Sequence, residues 1–283
     1  MFNHIHKLVV ATSLVVMLAG CSVSFTYKYL DWLILWRVDD YITFNSQQDV
    51  LFETELDQLI QWHKSTEIPR YITFLDKLSR YLNADAGVNE EQVSSIIHDL
   101  RDAWLRLSEA GYLPLSKLAL SLSPQQIKAL TASIEDDINE AESEIGTVEE
   151  QQDEFYDNSI EFLSDWIGNL TTEQKALLIA WSEQKAPTRL RHLTYKKAWL
   201  AHLKYTLMRR ENQPIFSKEF KRLITELDTF KTAEYLAIRE QNRALWVRYI
   251  VQLSKSLTPQ QKKRATKKLD ELRTELKQIR DND

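Results

Sequence analysis

Few side chains in this 283-residue chain stand where they could do chemistry. Cys21 is the sole thiol, so the chain can form neither an internal disulfide nor a cysteine-rich zinc site. In Trp62-His63-Lys64-Ser65-Thr66-Glu67, an imidazole and a carboxylate stand four residues apart. A helix would put them on one face, where a carboxylate can tune a histidine. No nucleophile or metal partner accompanies them in sequence, so a satisfied structural histidine is the simpler reading. His98, His192 and His202 are dispersed, and none completes an HExxH pair or another metal-ligand spacing. The chain also lacks a Gly-x-Ser-x-Gly elbow, a glycine-rich phosphate loop and an EF-hand loop. The expectation is a protein with no catalytic residues, no metal and no cofactor beyond what Cys21 carries.

The elements that would position these residues read as helices. Gly and Pro number only five and six, which disfavours turn-rich β architectures. Helical periodicity runs through nearly every segment after residue 25, and no segment alternates over strand length. Asn89-x-x-Gln92, Ser123-x-x-Gln126, Thr147-x-x-Glu150, Thr171-x-x-Gln174 and Thr258-x-x-Gln261 each fit a capping box. Pro124 and Pro259 fall at first helical positions, where a missing N–H costs nothing. Gly87, Gly111 and Gly146 fall where helices should stop. The spacing predicts helices over about 27–44, 48–64, 69–82, 90–110, 124–145, 148–167, 172–184, 187–210, 218–254 and 259–279. Short connections make neighbours antiparallel, so the expected fold is all-α, an antiparallel helical bundle or an irregular helical array. Residues 21–283 form its body, and any seam between subdomains falls near 121–123.

The segment before that body carries its own pattern. A small polar start (Asn3, His4, His6, Lys7) precedes an uncharged run from Leu8 to Leu18, and Ala19-Gly20 stand directly before Cys21. The run is too short to cross a bilayer core, which takes about 20 residues as a helix. Leu18-Ala19-Gly20-Cys21 resembles the lipobox that closes the signal peptide of bacterial lipoproteins. That resemblance implies cleavage between Gly20 and Cys21, removal of residues 1–20, and a lipid on the Cys21 sulfur. Ser22 follows, rather than the Asp that favours inner-membrane retention in this class, which implies an outer-membrane anchor facing the periplasm. A buried helix or short anchor with a stray cysteine is the alternative.

Charge is unevenly spread. No Lys or Arg occurs from Ala129 to Gln174, a stretch crowded with acids. From Lys175 onward 25 basic residues face 12 acidic ones, a net of +13 against −18 for the preceding 174 residues, within an overall −5. Either an acidic hairpin neutralises itself against basic helices of the same fold, or the surface is bipolar and its basic side seeks an anionic envelope component. The first is the simpler reading. An exported protein meets no nucleic acid.

The segment Phe25–Tyr41 is aromatic, yet it contains Lys28, Asp31, Arg37, Asp39 and Asp40, which exclude a membrane span. Its Trp32 and Trp36 belong either to a core helix, the expectation by helical spacing, or to an interfacial helix at headgroup level. As a core helix it would pair its acids with bases of the C-terminal half. Tyr27-x-x-Leu30-Asp31-Trp32-Leu33-x-x-Trp36-x-x-Asp39-Asp40-Tyr41 resembles the opening signature of an uncharacterised family of proteobacterial lipoproteins, a domain-of-unknown-function group. The likeness continues at Trp62-His63-Lys64-x-x-Glu67-Ile68-Pro69-x-Tyr71, where that family usually has Arg at the position of Lys64 and Leu at that of Ile68. The resemblance implies location and an all-helical body, and brings no activity with it. Leu170-Thr171-x-x-Gln174, Leu257-Thr258-x-x-Gln261 and the near match Leu122-Ser123-x-x-Gln126 are similar to the LTxxQ motif of Spy-like periplasmic chaperones. A hydrophobic residue before a capping box explains the same letters. The chain thus reads as an outer-membrane lipoprotein, a non-enzymatic module presenting a helical surface to an envelope protein or an anionic envelope component. A holdase-type chaperone is the alternative and an enzyme the outsider.

Overall fold

The computed structural model describes residues 23–282; Gly20 and Cys21 lie outside them. All regular structure among the described residues is helical. In chain order the elements are α1 (Val23–Lys28), α2 (Leu30–Asp39), α3 (Ser46–Trp62), a π-helical turn (His63–Glu67), α4 (Ile68–Leu82), α5 (Glu90–Ser121), α6 (Pro124–Ser143), α7 (Val148–Ile167), α8 (Thr172–Gln184), α9 (Arg189–Met208), α10 (Gln213–Thr225), a 3-10 turn (Leu227–Phe230), α11 (Ala233–Ser256) and α12 (Pro259–Asp281).

The five expected capping boxes all form, each with its side chain accepting from the third helical N–H and the Gln or Glu there reaching back. Asn45 and Gln48 make a sixth, at the start of α3. Elsewhere the helices depart from the pattern read in sequence. The expected first helix breaks at Tyr29. The second and third join through the π turn, because Pro69 falls in the first turn of α4 and need not interrupt the backbone there. Helix α5 does not stop at Gly111; it continues past Pro114 to Ser121. Ser108, Gly111, Ser116 and Ala119 are buried along it, and packing of this helix on α10 offsets the cost of the proline. The expected long helix from 218 is two, separated by the 3-10 turn and restarted where Thr232 caps Tyr235 N–H.

Two quartets of helices repeat one pattern. In the first (α3, α4, α5, α6) helix one packs on helix three, and in the second (α8, α9, α11, α12) it does so again. The second helix of each quartet packs on the fourth helix of the other: α4 on α12, and α9 on α6. The third helices, α5 and α11, meet each other. Ile68, Ile72 and Leu75 of α4 share a buried cluster with Leu269, Leu276 and Ile279 of α12. Leu193, Leu200, Leu203 and Leu207 of α9 share another with Ile127 and Ile138 of α6, into which α10 inserts Phe216, Phe220 and Leu223.

The charge asymmetry is neutralised in part inside the fold. Lys197 and Lys204 of α9 pair with Glu142 and Glu135 of α6, both at 2.7 Å. Arg189 reaches Glu154 of α7 at 2.6 Å, and Lys268 of α12 reaches Asp165 of α7 at 2.5 Å. No helix among the described residues is long and apolar enough to cross a membrane.

Candidate functional site

Helices α1 and α2 follow directly on the expected anchor, and neither buries a residue. Trp32 and Trp36 lie one turn apart, stacked with ring centroids 6.4 Å apart, and remain 59% and 53% exposed. Phe25 and Tyr29, also exposed, pack on each other at 4.9 Å. The core placement expected for this segment is therefore corrected for Trp32 and Trp36, whose face no helix covers, while Tyr27 of α1 packs against the α4–α12 cluster. Its acids do not pair with the C-terminal half either. Asp40 accepts from Arg37 at 2.8 Å on the same helix. Arg37 also donates to the Tyr41 hydroxyl, which donates to Asp137 of α6 at 2.5 Å.

The second sequence signature folds into a compact cluster that meets the first. At the π turn an extra backbone residue is accommodated, and such turns re-aim side chains. Glu67 is completely buried and accepts both Arg106 nitrogens of α5 at 2.8 Å, with Arg70 at 3.6 Å. This bidentate pair ties the α3–α4 junction to α5. The Arg106 hydrogen bonds hold the Glu67 carboxyl below its ordinary range, against burial, which pushes the other way. His63 does not pair with Glu67. Its Nδ1 lies 3.2 Å from the Tyr27 hydroxyl, and its ring packs against Tyr27 and Tyr71. Burial lowers the affinity of His63 for a proton, so the ring is neutral at pH 7. Burial, helped by Tyr71, pushes the Tyr27 phenol to about 12. Held ionised on arginine, Glu67 fastens the α3–α4 junction to α5. Trp62, just before the turn, is half-buried.

The three LTxxQ-like segments resolve into two interlocked pairs of helix starts. Gln174 and Gln261 exchange amide hydrogen bonds, both at 2.8 Å, and are buried. Each also accepts from its own cap, Thr171 N–H or Thr258 N–H, at 3.0 Å. Gln174 then donates to the Ser256 carbonyl and Gln261 to the Asn169 carbonyl, both at 3.0 Å. Gln126 makes the same arrangement with Gln48, not with another LTxxQ copy: the exchange runs at 2.7 and 3.0 Å, with donation to Thr43 and Ser121 carbonyls at 2.8 Å. Leu122 and Leu170 are buried behind the caps and Leu257 is half-buried. The sequence reading missed Asn45 and Gln48 because an Asn cap after Phe44 does not spell LTxxQ. Ser121-Leu-Ser-Pro-Gln-Gln126 and Ser256-Leu-Thr-Pro-Gln-Gln261 were the available signal of a repeat.

The other histidines stay apart. His98 meets Asp102 at 3.1 Å, and His202 Nε2 meets Glu219 of α10 at 2.8 Å, a pair that sequence spacing does not reveal. No group of three or more His, Cys, Asp or Glu able to hold a metal occurs among the described residues. No curated protein and no solved structure matches the chain. One family model does, over residues 40–236, which takes in the His63–Glu67 cluster and everything from α3 into α11, but little of the Tyr27–Tyr41 signature. Its span covers well over half of the sequence: the chain belongs to DUF6279, a family of unknown function.

Proposed function

We propose that this protein is a lipid-anchored, non-enzymatic interaction module of the bacterial cell envelope, held at the outer membrane by a lipid on Cys21. Helices α1 and α2 rest at the membrane interface, and the interlocked helical body faces the periplasm and presents its surface to an envelope protein. The single observation that carries this reading is the uncovered, stacked Trp32–Trp36 face, which starts eleven residues after Cys21. Tryptophan rings with one apolar and one wet side favour headgroup depth. The holdase alternative loses its sequence support here, because the LTxxQ glutamines are spent on each other and on buried carbonyls.

Two substitutions test the proposal. Cys21→Ser should leave the precursor unprocessed and remove the protein from the outer-membrane fraction; unchanged mass and fractionation would overturn the anchor. A photocrosslinking residue at position 36 should label phospholipid in cells. A single protein adduct there, with no lipid adduct, would make α2 a partner site and overturn the interfacial placement.

A further inference from the structure

The two quartets differ at one corresponding place, the junction between their first and second helices. In the first quartet the chain runs straight through the π turn, and His63, Tyr27 and Tyr71 fill the space. In the second, α8 ends at Gln184 and α9 begins at Arg189, and helix α7 lies across the gap. A cavity of about 350 Å³ opens there, walled by Phe155 and Phe162 of α7, Trp181 of α8, and Trp246 and Tyr249 of α11. That is at the small end of ligand pockets, and about twice the ~150 Å³ that accommodates a benzene.

Its walls are built, not left over. Lys185 Nζ sits 4.3 Å from the centre of the Phe155 ring. Phe155 meets Trp181 edge-on at 4.6 Å, and Trp181 stacks on Tyr249 at 4.5 Å. A cation thus stands at one end of an aromatic stack and a phenol at the other. Tyr249 is only 4% exposed, and its hydroxyl is the one buried side-chain polar atom among the described residues without a hydrogen-bond partner. The hydroxyl is closed off from water-sized atoms, so Tyr249 contributes its ring to the wall of the cavity. Lys185 has no carboxylate partner among the described residues, whereas its neighbour Arg189 at the rim is already paired with Glu154. Burial and the nearby Arg189 charge both lower the proton affinity of Lys185, a penalty that a bound anion would relieve.

We propose that this cavity binds a small apolar carboxylate, one with a single ring system or a medium alkyl chain. Its apolar body lies against Phe155, Trp181 and Tyr249, and its carboxylate pairs with Lys185. An uncharged ligand would leave Lys185 unanswered, and a polyanion would not enter the aromatic wall. The site is independent of the membrane role proposed above, since it lies on different helices from α1 and α2.

The test is calorimetric titration of the full lipidated chain in nanodiscs with 2-naphthoate, against its uncharged analogue 2-naphthalenemethanol and with empty nanodiscs subtracted. Saturable one-to-one binding of naphthoate is expected, at least tenfold tighter than the alcohol. Lys185→Met, which keeps the stem on Phe155, should erase that preference. Tyr249→Phe removes only the closed-off hydroxyl and should leave naphthoate affinity and its preference over the alcohol unchanged. Absence of saturable binding up to millimolar ligand would overturn the proposal. So would a preference that Lys185→Met leaves intact, or equal affinity for the alcohol in the parent chain.

Discussion

Gln174 serves two backbone groups from a fully buried position. Its amide joins Thr171 N–H, the Ser256 carbonyl and Gln261 in a space closed to water, so truncation strands partners that cannot be rehydrated. Gln174→Ala should cost about 2–4 kcal/mol in urea unfolding, at the upper part of the range for a buried network. Gln174→Ala and Gln261→Ala combined should cost less than the sum, with a coupling of about 1–3 kcal/mol. Additive losses would mean that each glutamine acts only as a cap for its own helix. Glu67 makes a prediction in pH. Its carboxyl is held below the ordinary value by Arg106, so the folded state binds this proton less well than the unfolded chain does. The stabilisation is complete above about pH 4.5 and is lost as pH falls through the folded value. Glu67→Gln should therefore be less stable than the parent at pH 7, and the gap should narrow as pH drops below about 4.5. A gap that stays constant from pH 7 to pH 3 would show that the ion pair contributes nothing.

Helix starts were legible in the sequence because a cap is local chemistry: an oxygen, three residues, and a Gln or Glu reaching back. Helix ends and continuations were not, because glycine and proline act through what surrounds them. Gly111 lies inside α5, and a Cβ there would meet only Leu115 Cδ1 at 3.9 Å, an ordinary contact. Gly111→Ala should therefore stabilise the protein by about 0.5–1 kcal/mol, by removing backbone freedom from the unfolded chain. Gly87 is the opposite case. Its φ is +71°, and a Cβ would stand 2.8 Å from Ser254 Oγ, the atom that receives Val88 N–H. Gly87→Ala should destabilise by more than 1 kcal/mol, and the two changes of urea midpoint should have opposite signs. The same limit hid α2. Its aromatic spacing was visible, but whether another helix covers that face is a tertiary fact, and none does. The His63–Glu67 spacing likewise suggested a pair, while the actual partners, Tyr27 and Arg106, lie far along the chain in either direction.

At the scale of the whole molecule, the exchange of second helices between quartets makes independent folding of either half costly. Removing the second quartet would strip α4 of α12 and expose Ile68, Ile72 and Leu75; removing the first would strip α9 of α6. The paired glutamines at each end fasten first and fourth helices within a quartet, while the apolar clusters fasten the quartets to each other. Such an arrangement couples the two halves through the α4–α12 and α9–α6 contacts. It also predicts one cooperative transition. Leu200→Ala, in the α9–α6 cluster, and Leu269→Ala, in the α12–α4 cluster, should each cost about 2–5 kcal/mol as buried large-to-small changes. Both should lower the same single melting transition, with calorimetric and van't Hoff enthalpies equal. Two resolved transitions, each shifted by only one of the substitutions, would mean that the quartets are separable bodies and that the interlock carries little of the stability.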